Sequence, residues 1–124
     1  MNPHRKRVLC VDDEEDTSLL ISSLLGLINC EVVSARTFDE ARQKISRERF
    51  DLYLLDNWLP GGSGVDLCRL IRELSATNPI VFYSGAAYDS DRQEAMEAGA
   101  QAYLFKPADI SKLMETVKRY LHLS

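Results

Sequence analysis

Asp12-Asp13, Asp56, Ser84 and Lys106 are the residues of this sequence whose types could act together on one substrate. Carboxylates held close to one another repel: two like charges about 4 Å apart interact by roughly 1 kcal/mol in water and several times that at a protein surface. Three of them call for a divalent cation. An all-oxygen set with no histidine or cysteine beside it suits Mg2+ or Mn2+ better than zinc. A hard cation that keeps several waters is suited to phosphoryl chemistry, where it neutralises charge on the group in transit. Lys106 and Ser84 could hold the phosphoryl oxygens that the metal leaves free, and Asp56 would be metal ligand and nucleophile together.

Each residue alone has an ordinary explanation. Asp12-Asp13 in "VDDEED" could serve only the positive end of the following helix, and Glu14, Glu15 and Asp16 suffice for that. Asp56 could be a turn residue, Ser84 a strand-end serine, Lys106 a solvated lysine, and Pro60-Gly61-Gly62 plain turn chemistry. Their common placement is the informative feature, and it depends on the elements that carry them.

Short β-rich runs alternate with helical patterns. The expected strands are Val8–Val11, Glu31–Ala35, Leu52–Leu55, Ile80–Tyr83 and Ala102–Phe105, several of them nearly continuous apolar runs as in strands covered on both faces. A helix over Thr17–Ile28 is expected to turn Leu20, Leu24, Leu27 and Ile28 inward. Thr37-x-x-Glu40 opens a second helix with Phe38, Ala41 and Ile45 inside. Gly64–Leu74 is the third and carries Val65, Leu67, Cys68 and Ile71. Ser90-x-x-Gln93 is read as the cap of a fourth that stops near Gly99, and Asp109 opens the last, with Ile110, Leu113, Val117 and Leu121 at helical spacing. Five strands alternating with five helices imply an α/β fold with a doubly wound parallel five-stranded sheet and right-handed crossovers. The natural place for a site is the crevice beyond the carboxyl ends of the strands. The first strand runs into Asp12-Asp13, the third into Asp56, the fourth into Ser84 and the fifth into Lys106-Pro107.

Composition narrows the field. A chain of 124 residues, 45% hydrophobic and 27% charged, fits one ordinary globular domain, 1–124. No run approaches the roughly 18 apolar residues of a membrane span, and the basic run His4-Arg5-Lys6-Arg7 is not followed by the long apolar core of a signal peptide. A net charge of −4 argues against direct nucleic-acid binding, which needs a basic face. Cys10, Cys30 and Cys68 have no C-x-x-C spacing and read as reduced thiols of a cytoplasmic protein. "GGSG" fails the G-x-S-x-G pattern at Val65, no phosphate-binding glycine loop is present, and His4 and His122 lie near the termini, away from any triad.

The acidic pair Asp12-Asp13, Asp56 with Pro60 four residues on, Ser84, and Tyr103-x-x-Lys106-Pro107 stand in the order and spacing of the receiver domain of two-component response regulators, which the chain resembles over about its whole length. The resemblance implies a flavodoxin-like (βα)5 fold of strand order 2-1-3-4-5, phosphorylated on Asp56 by a histidine kinase or a histidine phosphotransfer protein. It implies that Asp13, Asp56 and the backbone carbonyl of Trp58 bind Mg2+ directly and Asp12 through water. Ser84 and Lys106 would contact the phosphoryl oxygens, Tyr103 would turn inward when Ser84 moves, and Lys106–Pro107 would be cis. The sequence departs from the family at Trp58, a large ring where a polar residue or methionine is common. It also lacks the acidic pair before the tyrosine and the phenylalanine after the proline that are common in the subfamily dimerising through its fourth and fifth helices. The domain is expected to be a stand-alone receiver or one cut from a longer protein.

Three functions compete: a phosphoryl-accepting switch that signals to an unknown downstream protein through the face around the fourth helix and fifth strand, an adaptor that binds partners without phosphorylation, and a Mg2+-dependent phosphohydrolase. The adaptor would be favoured by loss of the acidic pair, Asp56 or Lys106, all of which are present. The hydrolase would want a second acid two residues after Asp56, where Trp58 stands. The residues favour the switch, a phosphoacceptor that assists its own phosphorylation rather than an enzyme acting on other substrates.

Overall fold

The computed structural model describes residues 5–123, so His4 at the head of the basic run lies outside the described residues. The elements follow in the order β1 (Lys6–Val11), α1 (Glu15–Gly26), β2 (Cys30–Ala35), α2 (Phe38–Arg47), β3 (Leu52–Leu55), β4 (Trp58–Leu59), β5 (Gly62–Ser63), α3 (Gly64–Leu74), β6 (Ile80–Ser84), α4 (Asp89–Ala98), β7 (Ala102–Phe105) and α5 (Ile110–Tyr120). The main sheet is ordered β2-β1-β3-β6-β7 with every pair parallel. This is the expected 2-1-3-4-5 order, with the pair β4 and β5 intercalated in the count. The register Val11↔Leu55, Leu55↔Phe82 and Ser84↔Phe105 aligns the strand ends along one edge.

Alternation along the strands divides the core into two layers. Leu9, Val11, Tyr53, Leu55, Ile80, Phe82 and Tyr103 face α2, α3 and α4. Val8, Cys10, Leu52, Leu54, Val81, Tyr83 and Leu104 face α1 and α5. Both sets are buried, which is why these strands read as unbroken apolar runs. Arg72 of α3 ties together the chain after α3 and after α4 on the first side: it donates to the carbonyls of Gly99, Ser75 and Asn78 and to Oε1 of Gln101. Gly99 closes α4 at φ 116°, where an added Cβ would meet the Arg72 side chain at 2.8 Å.

Helices α3 and α5 and strands β3 and β7 match expectation, including Asp109 at the start of α5; the cap of α3, Ser63, was not anticipated. In α2, Ala41 and Ile45 are buried, and Phe38 is partly buried against the core. Three features differ from the sequence reading. Helix α1 turns Ser18, Ile21 and Leu25 inward, whereas Leu20 and Leu27 are exposed and Leu24 and Ile28 are only partly buried. The helix is apolar over so wide an arc that leucine spacing could not choose its inner face; packing on β1 and β2 chooses it. The cap of α4 is Tyr88 rather than Ser90, because Asp91 Oδ2 accepts from Tyr88 N at 3.1 Å and the helix starts at Asp89. The segment read as a turn contains the hairpin β4–β5, with Trp58 opposite Ser63 and Leu59 opposite Gly62. Among the described residues no helix is long and apolar enough to cross a membrane.

The corrected face of α1 sets the first prediction. Leu25→Ala should destabilise the fold by about 3 kcal/mol, as for other fully buried leucines. Leu27→Ala should change it by less than about 0.5 kcal/mol, as at other exposed positions. Urea unfolding of the two variants checks this; equal losses would restore the leucine stripe as the inner face.

Candidate functional site

The backbone of four adjacent strands, β1, β3, β6 and the edge strand β7, delivers the predicted residues to one crevice. Asp12 follows β1, and its N–H donates to Ala35 O of β2 at 3.0 Å, which holds the strand end in place. Asp56 follows β3 in the same way, with its N–H on Val11 O at 2.9 Å. Ser84 is the last residue of β6, one residue beyond the expected end, and Lys106 follows β7.

The carboxylate oxygens of Asp12, Asp13 and Asp56 lie within 4.8 Å of one another. Asp12 is 2% exposed and Asp56 8%, while Asp13 faces solvent. Lys106 reaches into this cluster from the far edge of the sheet. Its Nζ stands 2.6 Å from Asp12 Oδ2, 3.0 Å from Asp56 Oδ2 and 3.5 Å from Glu14 Oε1. Burial pushes the Asp12 carboxyl above the usual carboxylate range, although Lys106 and the Glu14 N–H pull it back. For Lys106, burial opposes the charge, but Asp12 and Asp56 outweigh it and raise the ammonium well above an ordinary lysine. Three carboxylates against one ammonium leave a net charge of −2. With oxygen donors only, that balance fits one hard divalent cation such as Mg2+.

The remaining groups are tied to the same backbone. Asp56 Oδ1 accepts from Asn57 N at 2.7 Å. Ser84 Oγ, fully buried, accepts from Ala86 N at 3.1 Å and from Asn57 N at 3.3 Å. The Asn57 N–H thus lies between the carboxylate and the hydroxyl. Tyr103 is already turned inward: it is 8% exposed, stacks on Phe82 at 5.4 Å and donates its hydroxyl to Ala86 O at 2.7 Å. Burial raises its phenol above the ordinary value, against hydrogen bonding from Ser84 and Asn57. The Lys106–Pro107 bond is cis.

The loop after Asp56 is held by close approach. Gly64 N donates to Asn57 O at 2.7 Å, and a Cβ on Gly64 would lie 2.2 Å from Asp56 O, so only glycine fits there. A Cβ on Gly62 would strike the Phe38 ring at 2.5 Å. The hairpin leaves the Trp58 side chain 64% exposed. Asp12, Asp13, Asp56, Ser84 and Lys106 are therefore brought together, Tyr103 is joined to them through Ala86, and Trp58 sits two residues from Asp56 with its side chain largely in solvent. Glu14 was read only as an acid at the start of the first helix, and Asn57 and Tyr83 were not singled out in the sequence. Glu14 and Asn57 adjoin acids that were, but Tyr83, whose ring lies 5.8 Å from Lys106 Nζ, carried no signal.

Comparison with known proteins bears on the family and the fold. The family described as the response regulator receiver domain matches residues 8–118. The response regulator protein PilR of Pseudomonas aeruginosa is 38% identical over 96% of this chain and 27% of its own length. The transcriptional regulatory protein ResD of Bacillus subtilis is 35% identical over 93% of this chain and 48% of its own. The chain thus spans about half or less of these relatives. Among solved structures, the BeF3-activated DrrB receiver domain superposes with a TM-score of 0.88 at 27% identity, covering 95% of this chain and 98% of that one. A CheY-like receiver domain protein from Methanospirillum hungatei gives 0.85 at 34% identity, covering 95% and 94%. The order of the strands, the clustered acids and these matches lead to one conclusion: the chain belongs to the response regulator receiver domain family.

Proposed function

We propose that Asp56 is the phosphoacceptor of a two-component phosphorelay, receiving a phosphoryl group from a histidine kinase or a histidine phosphotransfer protein. The reading rests on one observation above all: Asp56 is a nearly buried carboxylate with one oxygen on a backbone N–H and the other 3.0 Å from the Lys106 ammonium. An ionised carboxylate so placed is held in one orientation and is open toward the crevice. In the transfer, an Asp56 oxygen forms a bond to phosphorus as the bond from phosphorus to the donor nitrogen breaks. Lys106 and the Ser84 hydroxyl are near enough to receive the oxygens of the incoming group.

Asp13, Asp56 and the Trp58 carbonyl would hold Mg2+, with Asp12 acting through water. The ion would supply positive charge to the phosphoryl oxygens as negative charge redistributes. The chain's own residues orient the nucleophile, exclude water from its buried side and leave a balancing charge of −2. After transfer, the added charge on Asp56 would draw the Ser84 hydroxyl toward it, and the Ala86 backbone that Ser84 and Tyr103 share would carry that movement to the face around α4 and β7.

Incubation with Mg2+ and acetyl phosphate, followed by intact-protein mass spectrometry, tests the assignment. One phosphoryl adduct is expected in the wild type and none in Asp56→Asn. An adduct that persists in Asp56→Asn would overturn it. The metal gives a second prediction. At about 100 times its Kd, Mg2+ should stabilise the fold by about 2.7 kcal/mol. Asp13→Asn should raise the metal-free melting temperature, by relieving repulsion, and abolish the Mg2+ response; an unchanged response would remove Asp13 from the site. A third concerns lifetime. Trp58 and Ala86 carry no acid or amide to place a hydrolytic water, so Trp58→Asn should speed phosphate release by about tenfold, a modest share of what a positioned polar group can contribute. Release measured by a phosphate-binding assay decides this, and a faster wild type would refute it.

A further inference from the structure

Lys106 has three carboxylates within reach, two inside the crevice and one outside it. Asp12 and Asp56 lie inside the crevice, whereas Glu14, whose side chain is 66% exposed, offers an outer carboxylate at 3.5 Å. An ammonium is a compact, strongly hydrated charge on a flexible stem, and solvent favours the outer partner. Yet the Lys106 side chain is 13% exposed and sits close to the inner pair. On its remaining side lies Tyr83, 4% exposed, with the ring centroid 5.8 Å from Nζ. Tyr83 precedes Ser84 on β6 and points to the opposite face of the sheet, into the layer shared with α1 and α5. Its ring lies beside the ammonium, which is its link to the crevice.

We propose that Tyr83 is a positioning residue whose ring forms the floor under Lys106 and keeps the ammonium on Asp12 and Asp56 instead of Glu14 and water. The attraction is that of a cation for the negative face of an aromatic ring, strengthened where water is excluded. The phenol oxygen is not required, so phenylalanine should serve as well. An aliphatic residue would fill the layer but free the lysine to swing outward. The functional weight of this inference rests on Lys106 serving the phosphoryl site as proposed above; the position of the ammonium does not.

The test combines NMR and kinetics on the same samples. In the wild type, the ε-methylene protons of Lys106 should be shifted upfield by the ring. The shift should persist in Tyr83→Phe and vanish in Tyr83→Leu and Tyr83→Met, the second aliphatic variant guarding against one that fails to fold. Modification of Asp56 by acetyl phosphate should slow about fivefold in the aliphatic variants, the order of effect expected of a partly desolvated cation–ring contact. Adding Glu14→Gln to Tyr83→Met should recover most of that rate by removing the outer partner. An unshifted Lys106 in the wild type would overturn the proposal, as would a Tyr83→Phe protein that behaves like Tyr83→Leu. If Asp56 is not modified even in the wild type, the phosphoacceptor reading fails while the NMR shift still decides where Lys106 rests.

Discussion

Two almost wholly buried carboxylates, Asp12 and Asp56, share one ammonium, and the arrangement at the strand ends depends on that sharing. An isolated ionised carboxylate in such surroundings would lose more solvation than the fold could restore. Lys106 makes the pair tolerable without neutralising it. Full neutralisation would leave the crevice indifferent to a cation, and no lysine at all would leave three acids forcing the strand ends apart. The residual negative charge is what suits the crevice to a metal and, through the metal, to a phosphoryl group.

The sheet makes this sharing possible because it brings together groups that the chain keeps apart. Lys106 and Asp56 are separated by fifty residues, yet only the parallel register of β3, β6 and β7 stands between them. The same backbone restrains their surroundings. The Asn57 N–H faces Asp56 Oδ1 and Ser84 Oγ together, and Ala86 receives Tyr103 through its carbonyl while donating to Ser84 through its N–H. A change at the carboxylate therefore meets the hydroxyl and the tyrosine through two adjacent peptide groups, without needing a long chain of side chains.

Much of this was legible in the sequence because parallel strands are buried on both faces and announce themselves as apolar runs with polar residues where they stop. Asp12, Asp13, Asp56, Ser84 and Lys106 are all such stops. The inner face of α1 was not legible, since Leu19, Leu20, Leu24 and Leu27 surround Ile21 and Leu25 and hydrophobicity alone cannot rank them. The β4–β5 hairpin was hidden by its proline and glycines, which signal a turn whether or not two residues pair on either side. Tyr83 was hidden for a different reason: a buried aromatic in a strand is the commonest kind of core residue, and only the lysine above its ring distinguishes it.

The way the acids converge also bears on how the molecule folds and unfolds in time. Their repulsion is absent from the extended chain, because Asp12, Asp56 and Lys106 come within reach only after β1, β3 and β7 have all joined the sheet. Closing the loops between such distant residues costs entropy before their contacts repay it. A cation that needs the finished cluster therefore stabilises the folded state and gives nothing to the extended chain. To the extent that the cluster is unformed at the barrier, its ligand lengthens the life of the folded state more than it speeds folding.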